Sequence, residues 1–137
     1  MTANNEFTVA AVADAPKYVT NKNGHLINAD GRPLTQEDKW AIMATLKPEY
    51  LREKRKAVAA KMDPQELALI GVRADGSAVN PQGSVSINEY ESDWGVRVDE
   101  YIKFDFYGDA LTYANRYNEF FDNSKSPSWR MWAVANK

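Results

Sequence analysis

The spacing of apolar positions changes rhythm along the chain. Before residue 75 the apolar side chains recur mainly at steps of three and four; after residue 84 they recur at alternate positions. In the first part, Phe7, Val9 and Ala11 alternate with Thr8, Ala10 and Val12, which predicts a short strand over 7–12. Tyr18-Val19-Thr20 and His25-Leu26-Ile27 flank Asn23-Gly24, a dipeptide suited to the two positive φ values of a type I′ turn, so a hairpin is expected there. Asp30-Gly31 makes a second turn, and Pro33 bars an immediate return to a central strand. Thr35 followed by Asp38 reads as a helix N-cap, with Trp40, Met43, Ala44 and Leu46 at helical spacing behind it. Pro48 fits the first position of a second helix, whose narrow apolar stripe would be Tyr50, Leu51, Ala57, Val58 and Met62. Asp63-Pro64-Gln65-Glu66 is the clearest helix start in the chain: an N-cap, a proline at N1 and a glutamate at N3. That helix is short and ends near Gly71.

In the second part, Val85 and Ile87 open a strand, Val96 and Val98 form another, and Ile102, Phe104 and Phe106 alternate with Tyr101, Lys103, Asp105 and Tyr107. Gly108-Asp109 reads as the stop of that run and the cap of a helix. Ala110, Leu111, Tyr113, Ala114, Tyr117, Phe120 and Phe121 give that helix a wide aromatic stripe. After a loop over 123–128, Trp129 to Val134 reads as the last strand. The expected C-terminal unit is therefore β-β-β-α-β, and the fold class is α+β with an antiparallel sheet and two to three N-terminal helices. One domain over 1–137 is expected, divided into a hairpin and helical part (1–74), a turn-rich seam (75–84) and a sheet-and-helix part (85–137).

Composition narrows the chemistry more than it names it. The 137 residues are 44% hydrophobic and 26% charged, with a formal net charge of −2, which removes a strong global field as a means of binding nucleic acid or membrane. Cysteine is absent, excluding disulfides, thiolate ligands and a Cys nucleophile, and a single histidine leaves one imidazole for any triad or zinc site. No basic n-region precedes the short apolar patch at 7–13, and no apolar run approaches the roughly 18 residues of a membrane span, so a cytoplasmic protein without a membrane association is expected. Phosphate-binding glycine loops, nucleophile elbows and zincin motifs do not occur.

His25, just after the Asn23-Gly24 turn, reads as an exposed loop residue rather than a base or ligand. A calcium loop placed on Asn28, Asp30, Gly31 and Glu37 fails, because Leu26 would stand at the essential first ligand position. No cofactor, metal or catalytic residue is expected. The one enzymatic alternative is a small hydrolase drawing on Glu89, Glu91, Asp93, Asp99 and Glu100. If residues 88–93 are extended, Glu89, Glu91 and Asp93 point the same way at steps of about 6.8 Å, a spacing that either imitates a nucleic-acid backbone or guards a solvated strand edge.

Charge is segregated. Residues 1–84 carry ten acids and eleven bases, residues 85–137 nine acids and six bases, and the bases concentrate over 47–61. Arg52, Lys54, Arg55 and Lys56 are accordingly the candidates for phosphate contact, under the alternative that the chain is a small nucleic-acid-binding accessory protein. Aromatic residues make up 12% of the chain and gather after residue 89. In the last strand Trp129, Met131 and Ala133 face one way and Arg130, Trp132 and Val134 the other; Tyr101 and Tyr107 stand opposite the Ile102 and Phe104 face. One helix covers only one side of a sheet, so the other side must meet the N-terminal helices, a partner or solvent.

The leading expectation is a non-enzymatic binding protein that occupies a surface of a protein partner, including one within a nucleoprotein complex. Tyr101, Tyr107, Trp129 and Trp132 would be its anchors, and Glu89, Glu91 and Asp93 its electrostatic contacts. Such a build suits inhibitors and regulators of nucleic-acid-handling machines of the kind that bacteriophages and mobile elements encode. It also suits a virion or assembly component. Monomer and homodimer are both compatible with it.

Overall fold

A computed structural model describes residues 18–122 and 128–137. The strand expected over 7–12 lies outside the described residues, as does most of the loop expected over 123–128.

The chain enters through a hairpin of β1 (Tyr18–Thr20) and β2 (Leu26–Asn28), with Val19 paired to Ile27. Its turn differs from the type I′ expectation. Gly24 alone has positive φ (+82°), and Asn23 keeps an ordinary negative one. The N–H of Gly24 donates to the Asn21 carbonyl at 3.0 Å, while the Asn21 carboxamide oxygen accepts from the N–H groups of Asn23 and His25. Asn21 therefore organises the turn, which needs one left-handed residue and not two. The same device recurs at Asn28–Gly31. A hydrogen bond from the Leu26 N–H to the Glu119 carboxylate (2.9 Å) ties the hairpin to the last helix.

Three helices follow: α1 (Gln36–Ala44), α2 (Pro48–Ala59) and α3 (Pro64–Ile70). The first and third start in full capping boxes at Thr35/Asp38 and Asp63/Glu66, and the third stops at Gly71 in the left-handed conformation (φ +71°). On α2 the buried stripe is not the expected one. Pro48 and Ala59 are buried and Leu51 packs on the core, whereas Val58 stands 59% exposed. The turn-rich segment after α3 is packed rather than linker-like: Ala78 is buried and pairs with Val72, and Gly76 (φ +86°) presses so closely on α2 that a Cβ would lie 2.1 Å from the Arg52 carbonyl oxygen.

The larger sheet has strand order β4-β3-β5, all antiparallel, from β3 (Gly83–Glu91), β4 (Gly95–Phe104) and β5 (Trp129–Asn136). Two strands, not three, precede the last helix: 96–98 and 101–104 belong to one strand. The register shifts by one between the pairs Ile87–Glu100 and Asn88–Val98, which leaves Asp99 as a bulge. Strand β4 ends at Phe104, and α4 (Tyr107–Phe121) begins two residues before the expected Gly108-Asp109 cap, with Phe106 at the N-cap.

The core forms where α4 lies on one face of this sheet. Val85, Ile87, Ile102, Phe104 and Ala133 meet Ala110, Tyr113, Ala114 and Tyr117, and Met43 of α1, Leu51 of α2 and Leu46 of the turn between them join the same cluster. Burying one such side chain as large as Phe104 contributes about 2–3 kcal/mol. The rings of Phe104 and Tyr113 sit 5.5 Å apart, and Trp40 of α1 stacks on Phe121 at 4.2 Å. Leu111, expected in the stripe, is exposed. All the core contacts of α1, α2 and α4 are therefore on one side of the sheet. No helix of the described residues is long and apolar enough to cross a membrane.

Candidate functional site: an open sheet face

Cross-strand partners project to the same side, so the register assigns every residue of the sheet to a face. On the covered face lie the rows Ile102–Val85–Ala135, Glu100–Ile87–Ala133, Arg97–Glu89–Met131 and Gly95–Glu91–Trp129. On the opposite face lie Val96–Tyr90–Arg130, Val98–Asn88–Trp132, Tyr101–Ser86–Val134 and Lys103–Ser84–Asn136. Val96 (63% exposed), Val98, Tyr101 (67%) and Val134 are all exposed there. Its two charges stand at opposite corners. Arg130 is held by Asp122 (Nε–Oδ1 3.0 Å, Nη2–Oδ2 2.9 Å) and lies over the Trp132 ring at 4.6 Å; Lys103 occupies the other corner. Between them the face is uncharged: Val96, Val98 and Tyr101 on β4 and Trp132 and Val134 on β5 flank Ser86 and Asn88 on the central strand.

The expected anchors are distributed over three places. Tyr101 and Trp132 share the open face, in adjacent rows. Trp129 stands at the far end of the covered face, where its indole N–H donates to Glu89 at 2.5 Å. Tyr107 is in the first turn of α4, with the Lys137 ammonium 5.1 Å from its ring centroid. Val96, Val98 and Val134 complete the open face and were not among the expected site residues. The alternation of β5 already set Val134 beside Trp132, whereas the face of the Val96-x-Val98 run was hidden by the bulge at Asp99.

The acidic row takes a different form from the one expected. Strand β3 ends at Glu91, and Asp93 lies in the turn that joins it to β4. Glu89 and Glu91 share one guanidinium, that of Arg97, with the Glu91 contact at 3.0 Å. Two carboxylates around one cation make a locally satisfied cluster, not a three-charge array.

The basic helix is likewise engaged within the molecule. Arg52 forms a bidentate pair with Asp105, at 2.7 and 3.1 Å, and that carboxylate is only 2% exposed. Hydrogen bonding to Asp105 raises the Arg52 pKa above its ordinary value. Arg55 pairs with Asp109 at 2.6 and 2.9 Å, its guanidinium 4.5 Å from the Phe106 ring centroid. Both arginines thus clamp α2 to the β4–α4 junction. Lys54 and Lys56 remain exposed, Lys54 with its ammonium 5.7 Å from the Tyr50 ring.

His25 is exposed beside a depression of about 280 Å³ lined also by Leu34, Lys39, Glu119 and Phe120. Glu119 there is already bonded to Arg116 and to the Leu26 N–H. Among the described residues, no group of three or more His, Asp and Glu side chains is placed to hold a metal ion. Comparisons with protein families, with curated protein sequences and with solved structures give no match to this chain.

Proposed function

We propose that the protein is a non-enzymatic binding module that docks on a protein partner through the open face of the β4-β3-β5 sheet, acting by occupancy as an inhibitor or regulator does. The observation that carries the proposal is the placement of α1, α2 and α4 on one side, opposite a face bearing Val96, Val98, Tyr101, Trp132 and Val134. Aromatic and aliphatic groups without unpaired charge suit the desolvated centre of an interface. The complementary partner surface is therefore uncharged, apolar opposite the two outer strands and able to meet the Asn88 carboxamide between them.

Size constrains the contact. Three strands at about 4.8 Å and some seven residues at about 3.3 Å give a footprint of roughly 330 Å². A stable interface covers about 800 Å² per partner. The partner therefore extends past the face, and β4 offers the way. Beyond its ladder with β3, that edge strand makes no further backbone hydrogen bond among the described residues, whereas β5 is bonded along its outer side by Asn118. The engagement of Arg52 and Arg55 by Asp105 and Asp109 favours this reading over phosphate contact through α2. The proposed setting is the cytoplasm.

Affinity capture from the source cell tests the proposal, with nuclease treatment and with a Val96→Lys/Tyr101→Lys variant run in parallel. The proposal expects a protein that survives nuclease and is lost with the variant, while the variant's melting temperature stays within about 2 °C of the parent, because both positions are exposed. Equal capture by parent and variant, or capture abolished by nuclease, contradicts it.

A further inference from the structure

A second apolar surface lies on the helical side, away from the open sheet face. Helix α3 carries Leu67, Ala68, Leu69 and Ile70 in seven residues, yet buries none of them; Leu69 is 87% exposed. Short helices in proteins owe their stability chiefly to packing an apolar face. Here the capping box at Asp63 and the left-handed Gly71 hold the helix at its two ends while Ala68, Leu69 and Ile70 stay exposed and Leu67 is only half-buried. Between α3 and α2 runs a groove of about 330 Å³ lined by Leu51, Val58, Ala59, Met62, Ile70 and Val72, with Lys54 and Arg55 at its margin and no acidic residue in its walls.

The charges at that margin select the occupant. Arg55 is neutralised by Asp109, but Lys54 has no carboxylate within ion-pair distance among the described residues and leaves one unpaired cation at the groove. A cationic margin around an apolar floor matches an anionic amphiphile. The walls at Val58 and Ile70 are themselves half or more exposed, so the groove is open along its length. It cannot enclose a lipid chain, most of whose surface a small-molecule site buries. It fits instead the face of a peptide, in the manner of a helix laid in a groove, and Met62 supplies an adaptable contact.

We infer that the α2–α3 groove docks an amphipathic peptide segment of a partner protein whose apolar anchors are flanked by Asp or Glu. This surface is independent of the sheet face, so a chain using both would bridge two partners or two parts of one.

Two fluorescein-labelled synthetic helical peptides test this, identical at leucine positions spaced i, i+4 and i+7 but carrying either glutamate or lysine elsewhere. With the full chain, fluorescence anisotropy is expected to show the glutamate peptide binding about tenfold or more tightly than the lysine peptide. Val58→Glu should weaken the glutamate peptide by about tenfold, since a carboxylate then stands in the apolar wall. Lys54→Glu, at an exposed site that leaves the fold intact, should narrow or reverse the preference. Equal binding of the two peptides, or no effect of either substitution, overturns the inference. So does a dimer in sedimentation that Val58→Glu dissolves, because the groove would then belong to a second copy of this chain.

Discussion

Asn118 of α4 holds Ala133 of β5 by both backbone groups: the Ala133 N–H donates to its Oδ1 at 2.7 Å, and its Nδ2 donates to the Ala133 carbonyl at 2.9 Å. The carboxamide takes the place of a neighbouring strand's peptide group and closes the sheet edge at a residue that is buried. Replacing Asn118 by Ala leaves a buried donor and acceptor without partners. The expected loss is about 2–3 kcal/mol in denaturant unfolding, with increased aggregation as the β5 edge opens. A change below about 0.5 kcal/mol would show that the edge does not depend on this side chain.

The Arg52–Asp105 pair predicts an asymmetric mutant cycle. Arg52→Met should cost about 2–4 kcal/mol, because it strands a carboxylate that is 2% exposed, while Asp105→Asn leaves a guanidinium that is 45% exposed to water and should cost less. The double variant should recover part of the Arg52→Met loss. Additive losses in urea unfolding would contradict the clamp.

Two glycines of equally positive φ separate conformational strain from steric overlap. Gly24 has open space where a Cβ would stand, so Gly24→Ala should cost only the left-handed strain, about 1–2 kcal/mol. At Gly76 the same change adds an overlap with the Arg52 carbonyl oxygen and should cost at least twice as much. Equal melting temperatures of the two variants would contradict the packing of this turn on α2.

Burial pushes the Tyr113 phenol up to about 12, with Glu100 and Tyr117 reinforcing the shift. The folded pKa lies above the ordinary value of 10, so the fold prefers the neutral phenol. That contribution is fully present below pH 10 and is lost as pH rises toward 12. Tyr113→Phe should therefore flatten the decline of stability with pH in this window. An unchanged slope in unfolding measured from pH 9 to 12 would contradict it.

The helix starts were legible because capping is local. Thr35/Asp38, Pro48 and Asp63/Glu66 each announce an N-terminus within four residues of sequence. The α+β class and the two faces of β5 followed from periodicity. The face of β4 did not. Residues 96, 98, 102 and 104 are all apolar, and unbroken alternation would set them on one side, but the bulge at Asp99 inserts one residue and moves Val96 and Val98 beside Tyr101. A single unpaired residue flips every side chain beyond it, and nothing in the local composition marks where it falls. The partners of the basic helix were hidden for a related reason. Its arginines answer acids some 53 residues away in sequence, and only the fold brings Asp105 and Asp109 to them.

Binding through the open face requires that this face become covered in the complex. Hydroxyl-radical footprinting of the captured complex against the free chain tests it most directly, with exposed Trp94 in the β3–β4 turn as internal reference. Tyr101, Val96 and Val98 on the open face should be protected relative to Trp94. Unchanged labelling of Tyr101 and Val96 in the complex would contradict it.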